Sequence, residues 1–239
     1  MRLSRTCCLA LGLLLGLGLH AQEPRETPEF RHFLTVQTVH LDTLLPPPPA
    51  PGTPAALADL LAVQQAQAWR TPEQVQLAKA VETGTLWDYR RVVGDWLQEG
   101  KLPVCAAFFK KVQHDTWAAS QKTKAMYQRP RPFQVDPSLE PCVKRPTTGS
   151  YPSGHSLQLY VWAGILEDLV PDQAQALQRE AGRLCWARVL GGVHYPSDLT
   201  ASRVMAQALL KVFRASKAYQ ADLVACRREI AALTQKKAG

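Results

Sequence analysis

The sequence predicts an all-α protein, a single-domain helical bundle. Apolar residues recur at helical spacing over long stretches, strand-like alternation is weak throughout, and there is no internal repeat. At 239 residues, with 46% hydrophobic and 20% charged residues, the chain has the size and composition of one globular domain rather than of a disordered segment.

The first 21 residues have the pattern of a secretory signal peptide. Arg2 and Arg5 form a basic start, residues 7–19 are almost wholly apolar, and Ala21 is a small residue at the expected cleavage position. An uncleaved membrane anchor is the alternative, but the apolar run is shorter than the ~20 residues that a spanning helix needs. We therefore expect a periplasmic or secreted protein with a cleaved signal peptide and no stable membrane insertion.

Residues 22–54 are expected to form an extended, proline-rich N-terminal arm. The four consecutive prolines at 46–49 cannot continue a helix and favour extended backbone. The helical domain is then expected to span residues 55–239. Within it the spacing of apolar residues and the cap at Thr71 and Pro72 predict helices over 55–69, 72–82, 104–127, 154–169, 172–189, 198–215 and 216–235.

The charge balance is basic. Loss of the first 21 residues lowers the formal net charge from +8 to +6, which suits anionic small molecules, an anionic surface or nucleic acid. The basic residues are scattered, and neither an arginine-rich arm nor a zinc finger is present. We therefore expect small anionic substrates and no nucleic acid partner. The composition leaves open whether the protein is a monomer or a homo-oligomer.

Four cysteines follow the signal peptide, namely Cys105, Cys142, Cys185 and Cys226. An even number in an exported protein predicts two disulfides, and three pairings are open. We favour the sequential pairing, Cys105 with Cys142 and Cys185 with Cys226.

Three separated motifs contain the candidate site residues. Residues 124–132 carry K-x6-R-P with Lys124 and Arg131, residues 152–155 read P-S-G-H, and residues 188–198 carry R-x5-H-x3-D. The P-S-G-H motif precedes an apolar helical stretch, so Ser153 and Gly154 should lie at a helix N-terminus, where unpaired N–H groups bind anions.

The other residues of these motifs supply charge and a nucleophile. Guanidinium groups such as that of Arg188 match the oxygens of phosphate. Asp198 follows His194 by four residues, so its carboxylate can hold one ring nitrogen and leave the other free to attack. Each motif alone is weak evidence, because such pairs and caps are frequent in proteins without a catalytic role. All three in this order favour a phosphate site.

This combination resembles the superfamily of type 2 phosphatidic acid phosphatases and vanadium haloperoxidases. Within it, the chain is most similar to the bacterial class A nonspecific acid phosphatases, through the L-L-P-P-P-P element at 44–49, Y-x-R-x-R-P at 127–132, G-S-Y-P-S-G-H at 149–155 and R-V-x-x-G-x-H-Y-x-S-D at 188–198. The likeness runs from about residue 33 to about residue 220. Ala187, Gly191 and Ser156 depart from the family's usual serine, cysteine and threonine, and none removes a group that the chemistry needs.

The resemblance implies an all-helical fold and an acid phosphatase that hydrolyses phosphate monoesters over a broad range. It implies that His194 forms a phosphohistidine, that Asp198 orients it, and that His155 is the general acid and base. It assigns phosphate binding to a further set: Lys124, Arg131, Ser153, Gly154 and Arg188.

Other functions remain open at this stage. No histidine–carboxylate cluster has metal-ligand spacing, so we expect neither a metal nor another cofactor. A haloperoxidase holding vanadate, a lipid phosphatase, and a phosphate- or nucleotide-binding module without catalysis are the alternatives. The presence of His155, His194 and Asp198 argues against simple binding, which needs neither a nucleophile nor a proton donor.

Overall fold

The computed structural model describes residues 28–235, and within them all regular structure is helical. The all-α prediction is confirmed. The ten α-helices are α1 (Leu41–Leu44), α2 (Pro54–Trp69), α3 (Pro72–Glu82), α4 (Arg90–Val93), α5 (Pro103–Tyr127), α6 (Pro132–Val135), α7 (Gly154–Leu169), α8 (Ala174–Leu190), α9 (Pro196–Ala215) and α10 (Lys217–Gln235). The predicted signal peptide lies outside the described residues.

Local sequence explains where several of these helices begin. Proline occupies the first turn of α2, α3, α5 and α9, where its missing N–H would have no intrahelical partner. Thr53 and Thr71 cap α2 and α3 by accepting from Ala56 and Gln74 backbone N–H groups. Because such caps act within one helical turn, the predicted bounds lie within a few residues of the observed ones.

Helix α7 is central to the bundle and packs against α5, α8 and α9. Its residues Leu157, Val161 and Ile165 are completely buried, and burial of such side chains stabilises a fold by roughly 1.5–3 kcal/mol each. Gly164 allows α9 to approach closely, because a Cβ atom there would collide with Leu210. The N-terminus of α7 is therefore held firmly beside its neighbours.

The arm before α2 is attached to the bundle by hydrogen bonds. The buried carboxylate of Asp115 on α5 accepts backbone N–H groups of residues 31–34, including Phe33 at 2.7 Å and Leu34 at 3.0 Å. Further along, the hydroxyl groups of Tyr127 and Tyr151 donate to the carbonyls of Leu45 and Pro46. The start of the proline run therefore lies against the C-terminal end of α5 and the loop before α7.

All four cysteines of the described residues are free thiols, which corrects the expectation of two disulfides. The favoured pairing is also wrong, because helix packing gives each cysteine another neighbour. The Cys105 thiol on α5 contacts the Cys226 carbonyl on α10 at 3.7 Å, since these helices lie side by side. Cys142 contacts Leu190 at 3.8 Å, and Cys185 faces α7.

None of the helices within residues 28–235 has the length and apolar character needed to cross a membrane.

Candidate active site

The three motifs meet at one cavity of about 760 Å³. The C-terminal end of α5, the N-terminus of α7 and the connection between α8 and α9 surround it. Six of the eight predicted site residues line this cavity, namely Lys124, Arg131, Gly154, His155, Arg188 and His194. The other two, Ser153 and Asp198, are completely buried next to residues that line it.

His194 is oriented by Asp198. After α8 ends, Gly192 adopts φ +76°, a left-handed turn that favours glycine, and the chain reverses before α9. The Nδ1 atom of His194 lies 3.0 Å from Oδ2 of Asp198, which also accepts the Tyr195 backbone N–H at 2.9 Å. Nδ1 therefore carries the ring proton, and Nε2 is left with a lone pair that faces Arg131 at 3.2 Å.

Burial and the surrounding cations favour the neutral form of His194. Its side chain is buried, and this burial together with Arg131, Lys124 and Arg188 holds its pKa well below the usual range. A neutral imidazole with an unprotonated Nε2 is the nucleophilic form. Burial also raises the pKa of Asp198, and Arg129 opposes that rise.

Arg129 and Asp59 complete this arrangement, and the sequence analysis did not select them. The Nη1 atom of Arg129 donates to Oδ1 of Asp198 at 2.7 Å, and its Nη2 atom donates to Asp59 on α2 at 2.8 Å. The guanidinium group also lies 3.9 Å from the centre of the Tyr195 ring. Arg129 belongs to the Y-x-R-x-R-P motif at 127–132, whereas Asp59 belongs to none of the motifs.

Three cations face the cavity. Arg131 is held by the carbonyls of Thr148 at 2.8 Å and Val193 at 2.7 Å, and the Lys124 ammonium donates to the Gly149 carbonyl at 2.6 Å. The guanidinium of Arg188 is buried, and its Nε and Nη1 atoms have no hydrogen-bond partner among the described residues. Unpaired buried donors of this kind are satisfied when an oxyanion binds.

The crowding of positive charge changes the acidity of these groups. Burial, with the charges of Arg131 and Arg188, lowers the pKa of Lys124 to about 7. Burial lowers the pKa values of Arg131 and Arg188 to about 10, so both remain charged near neutral pH. An anion in the cavity would relieve the mutual repulsion of the three groups.

The N-terminus of α7 borders the same cavity. The Ser153 hydroxyl accepts the Ser156 backbone N–H at 3.3 Å, so it serves as the cap of α7. Gly154 has no room for a side chain, since a Cβ atom would lie 2.9 Å from the Ser120 hydroxyl. Ser120 is buried, lines the cavity and has no hydrogen-bond partner among the described residues. The only indication in the sequence that Ser120 would line the cavity is its position one helical turn before Lys124 on α5.

His155 lines the cavity beside the C-terminal end of α3. Its Nε2 atom lies 3.1 Å from the Glu82 carbonyl, so Nε2 donates and Nδ1 is free. The residue is exposed at the cavity, and the protein around it removes only part of the water from the ring. This partial desolvation and the charge of Arg188 lower the pKa of His155 to about 4. An anion bound beside the ring would raise that pKa again.

Known proteins with related sequences share this part of the chain. Residues 116–221 match the family model of the PAP2 superfamily. This chain carries a PAP2 superfamily domain. The match includes all eight predicted site residues and Arg129, and it confirms the resemblance found in the sequence. Asp59 lies outside the matched segment.

Relatives that align with most of the chain have a modest level of sequence identity. The chain is 26% identical to an acid phosphatase of Zymomonas mobilis over 93% of this chain and 85% of that protein. It is 25% identical to a non-specific acid phosphatase of Providencia stuartii over 86% of this chain and 87% of that protein. These relatives support the interpretation of the chain as an acid phosphatase of the PAP2 superfamily.

Two solved structures share the fold of the PAP2 domain. One is a bacterial vanadium-dependent iodoperoxidase, with a TM-score of 0.54 and 17% identity over 72% of this chain. This chain spans about half, 53%, of that chain's length. The other is a transmembrane PAP2-type phosphatidylglycerolphosphate phosphatase of Bacillus subtilis, with a TM-score of 0.50 and 19% identity over 67% of this chain and 86% of that chain. At these identities the likeness concerns the fold alone.

Proposed function

We propose that the protein is an exported acid phosphatase that hydrolyses phosphate monoesters through a phosphohistidine on His194, without a metal ion and over a broad range of substrates. The observation that carries this proposal is the pairing of His194 Nδ1 with Asp198 at 3.0 Å while Nε2 faces a cavity lined by three cations. The names of the relatives and the PAP2 domain support the same reaction.

In the first step, the lone pair of His194 Nε2 forms a bond to phosphorus. The bond between phosphorus and the ester oxygen breaks, and its electron pair stays on that oxygen. The leaving oxygen takes a proton from Nδ1 of His155, whose Nε2 is held by the Glu82 carbonyl. Asp198 remains ionised and stabilises the positive charge of the phosphorylated ring.

In the second step, water attacks phosphorus and His155 accepts its proton. The electron pair of the N–P bond returns to His194, and inorganic phosphate leaves. Throughout both steps, the non-bridging oxygens carry negative charge that Arg131, Arg188 and Lys124 can bind. The amides at the N-terminus of α7 add to this stabilisation because Gly154 permits a close approach of an oxyanion.

Acidic pH favours the protonated forms of Lys124 and His155 that the proposed reaction needs. Lys124 carries its charge below a pKa of about 7, and His155 must be protonated before it can act as an acid. The pKa of His155 in the empty site, about 4, would rise when a phosphate dianion lies beside it. Both requirements favour turnover on the acidic side of neutrality.

The three cations can perform the charge stabilisation that a divalent ion supplies in other phosphatases. Among residues 28–235, no group of three or more histidine, cysteine or acidic side chains is arranged to hold a metal ion. We therefore expect turnover of p-nitrophenyl phosphate to survive exhaustive treatment with EDTA. Loss of turnover with EDTA and recovery with zinc or magnesium would contradict this part of the proposal.

One set of assays separates this function from its alternatives. Purified protein is assayed for p-nitrophenyl phosphate hydrolysis and, after addition of vanadate, for bromide oxidation by hydrogen peroxide. We expect hydrolysis alone. Halide oxidation without hydrolysis would favour a haloperoxidase, and phosphate binding without either reaction would favour a binding module. Export is tested separately, by mass spectrometry of the N-terminus of protein recovered from outside the cytoplasm.

A further inference from the structure

The cavity extends well beyond the phosphate site. One wall is a stripe along α5, formed by Lys110, Gln113, Trp117, Ser120 and Lys124 at successive intervals of three or four residues. Residues at this spacing share one face of a helix. The stripe therefore runs from the phosphate site outward along the cavity, into the region that the leaving group of an ester would occupy.

The opposite wall contains a similar progression on α7. It begins with His155 and continues through Gln158 and Leu159 to Trp162. Trp162 follows His155 by seven residues, and Trp117 precedes Lys124 by seven residues. Two helical turns correspond to about 10 Å along each helix. The end of α5 and the start of α7 meet where Gly154 packs against Ser120, and both tryptophans line the cavity that begins there.

The two tryptophans differ in exposure. Trp162 is only 5% exposed and forms a fixed wall, whereas Trp117 is 52% exposed at the cavity. Trp69 and Trp186 are exposed as well, at 75% and 43%, but neither lines this cavity. Trp117 is therefore exposed and lies in the part of the cavity that the leaving group of an ester would occupy.

Unpaired hydrogen-bond donors occur on the same wall. The Nε2 atom of Gln158 and the Nε1 atom of Trp162 are buried without a hydrogen-bond partner among the described residues. Buried donors are normally paired, so two unpaired donors on residues that line the cavity make this wall polar as well as aromatic. Polar atoms beside aromatic side chains are the usual composition of a small-molecule site.

We propose that Trp117 and Trp162 form a subsite that binds an aromatic ring of the leaving group, separated from the phosphate by a flexible spacer. The subsite rests on the proposed phosphatase function and names a preferred substrate class for it. A ring attached directly to the ester oxygen stays close to phosphorus and does not reach two helical turns away. An extended chain covers about 1.2 Å per bond, so a spacer of roughly four to eight atoms places the ring at the tryptophans.

Binding of non-hydrolysable phosphonates tests the subsite independently of turnover. A series of ω-phenylalkyl phosphonates with one to eight methylene groups is titrated into the full-length protein by calorimetry, beside the corresponding ω-cyclohexylalkyl series. We expect the phenyl compounds with intermediate spacers to bind about fivefold to tenfold more tightly than the shortest one, with a smaller gain for cyclohexyl compounds, because aromatic rings gain from stacking beyond their buried area.

Single substitutions test whether Trp117 is responsible for the dependence of affinity on spacer length. Trp117→Ala should remove the difference between long and short phenyl phosphonates, and Trp117→Phe should retain most of it. Trp69→Ala removes an exposed tryptophan outside the cavity, so it should keep the wild-type spacer dependence. An affinity independent of spacer length in the wild type, or unchanged spacer dependence in Trp117→Ala, would overturn the subsite.

The outcomes for the subsite and for the proposed function are distinguishable. A spacer-dependent affinity that disappears in Trp117→Ala supports the subsite even if p-nitrophenyl phosphate is not hydrolysed, in which case only the catalytic proposal fails. Hydrolysis of phosphate monoesters with spacer-independent binding of the phosphonates retains the phosphatase and excludes the subsite.

Discussion

Arg129 donates a hydrogen bond to Asp198 at 2.7 Å, on the carboxylate oxygen that does not face His194. Asp198 is completely buried, and burial alone favours its neutral form. The guanidinium group opposes this effect and is itself paired with Asp59 at 2.8 Å. The nucleophile is therefore supported by a chain of three alternating charges that extends back to α2.

Replacing Arg129 should weaken catalysis through Asp198. In Arg129→Gln, the pKa of Asp198 should rise further, so the carboxylate is lost at a higher pH than in the wild type. We expect kcat to fall by about 100-fold or more, because an oriented histidine depends on an ionised partner. The acidic limb of the pH profile of kcat/KM should also move to higher pH.

The matched control for this prediction is Asp59→Asn. It removes the outer charge but leaves the Arg129–Asp198 contact, so a smaller loss of kcat is expected. A fall in kcat for Arg129→Gln with no movement of the acidic limb would indicate a structural role for Arg129 instead. Thermal unfolding of both variants checks that the bundle remains folded.

Substitution of His194 and of His155 should impair different steps of the reaction. His194→Ala removes the proposed nucleophile, so no acid-labile phosphoenzyme should form with any substrate, and turnover should fall by several orders of magnitude. Rapid-quench trapping with a radiolabelled phosphate monoester measures this directly. Normal trapping in His194→Ala, or trapped phosphate on His155, would reverse the assigned roles.

His155→Ala should be sensitive to the leaving group. An alkyl oxygen needs a proton as it leaves, whereas p-nitrophenolate leaves with much less help, and general acids typically contribute about 10²–10⁴-fold. We expect the variant to retain relatively more first-step rate on p-nitrophenyl phosphate than on an alkyl phosphate. Phosphoenzyme should accumulate, because activation of water is also impaired. Equal losses on both substrates would argue against His155 as the acid.

The alkaline limb of the pH profile of kcat/KM should follow the loss of the proton from Lys124. Its pKa is lowered to about 7, so its charge and its contribution to phosphate binding are present below that pH and lost as the pH rises through it. Lys124→Arg should keep its charge to a higher pH than lysine does, because the neighbouring Arg131 and Arg188 still have pKa values of about 10 in the same cavity. The alkaline limb of kcat/KM should therefore move to higher pH in this variant.

Ionisation of the substrate is the same for both enzymes, so it serves as an internal control in that comparison. An alkaline limb at the same pH in the wild type and in Lys124→Arg would assign it to another group.

Gly154 should be intolerant of a side chain. In Gly154→Ala, the new Cβ atom would lie 2.9 Å from the Ser120 hydroxyl, so this hydroxyl or the N-terminus of α7 must shift. We expect inhibition by inorganic phosphate to weaken by at least about tenfold, since donor positions matter on the scale of a few tenths of an ångström. Gly182→Ala on α8 is the control, because a Cβ atom there meets nothing within 4 Å.

If Gly154→Ala binds phosphate as the wild type does, the N-terminus of α7 is not part of the anion site.

Vanadate should inhibit more strongly than inorganic phosphate. It adopts the five-coordinate geometry of a phosphoryl-transfer transition state, and a site that stabilises this state binds such an ion more tightly. Competitive inhibition constants for the two ions, measured in one buffer, test the expectation. Equal or weaker inhibition by vanadate would count against an oxyanion pocket formed by Arg131, Arg188 and Lys124.

The sequence by itself determined the seven longer helices and the members of the three motifs, but not the short helices α1, α4 and α6. Proline at the start of a helix and threonine caps such as Thr71 act within one turn, so their effect can be predicted locally. The pairing of His194 with Asp198 is equally local, because only four residues separate them at the start of α9.

Tertiary structure alone decided which distant side chains complete the site. Asp59 meets Arg129 across 70 residues of sequence, and Ser120 and Trp117 gain their positions only when α5 packs against α7. The same packing places Cys105 beside Cys226 rather than beside Cys142. Local hydrogen bonds specify where a helix begins and ends. The partners of its side chains depend on how buried faces of several helices fit together, which no single segment of the chain encodes.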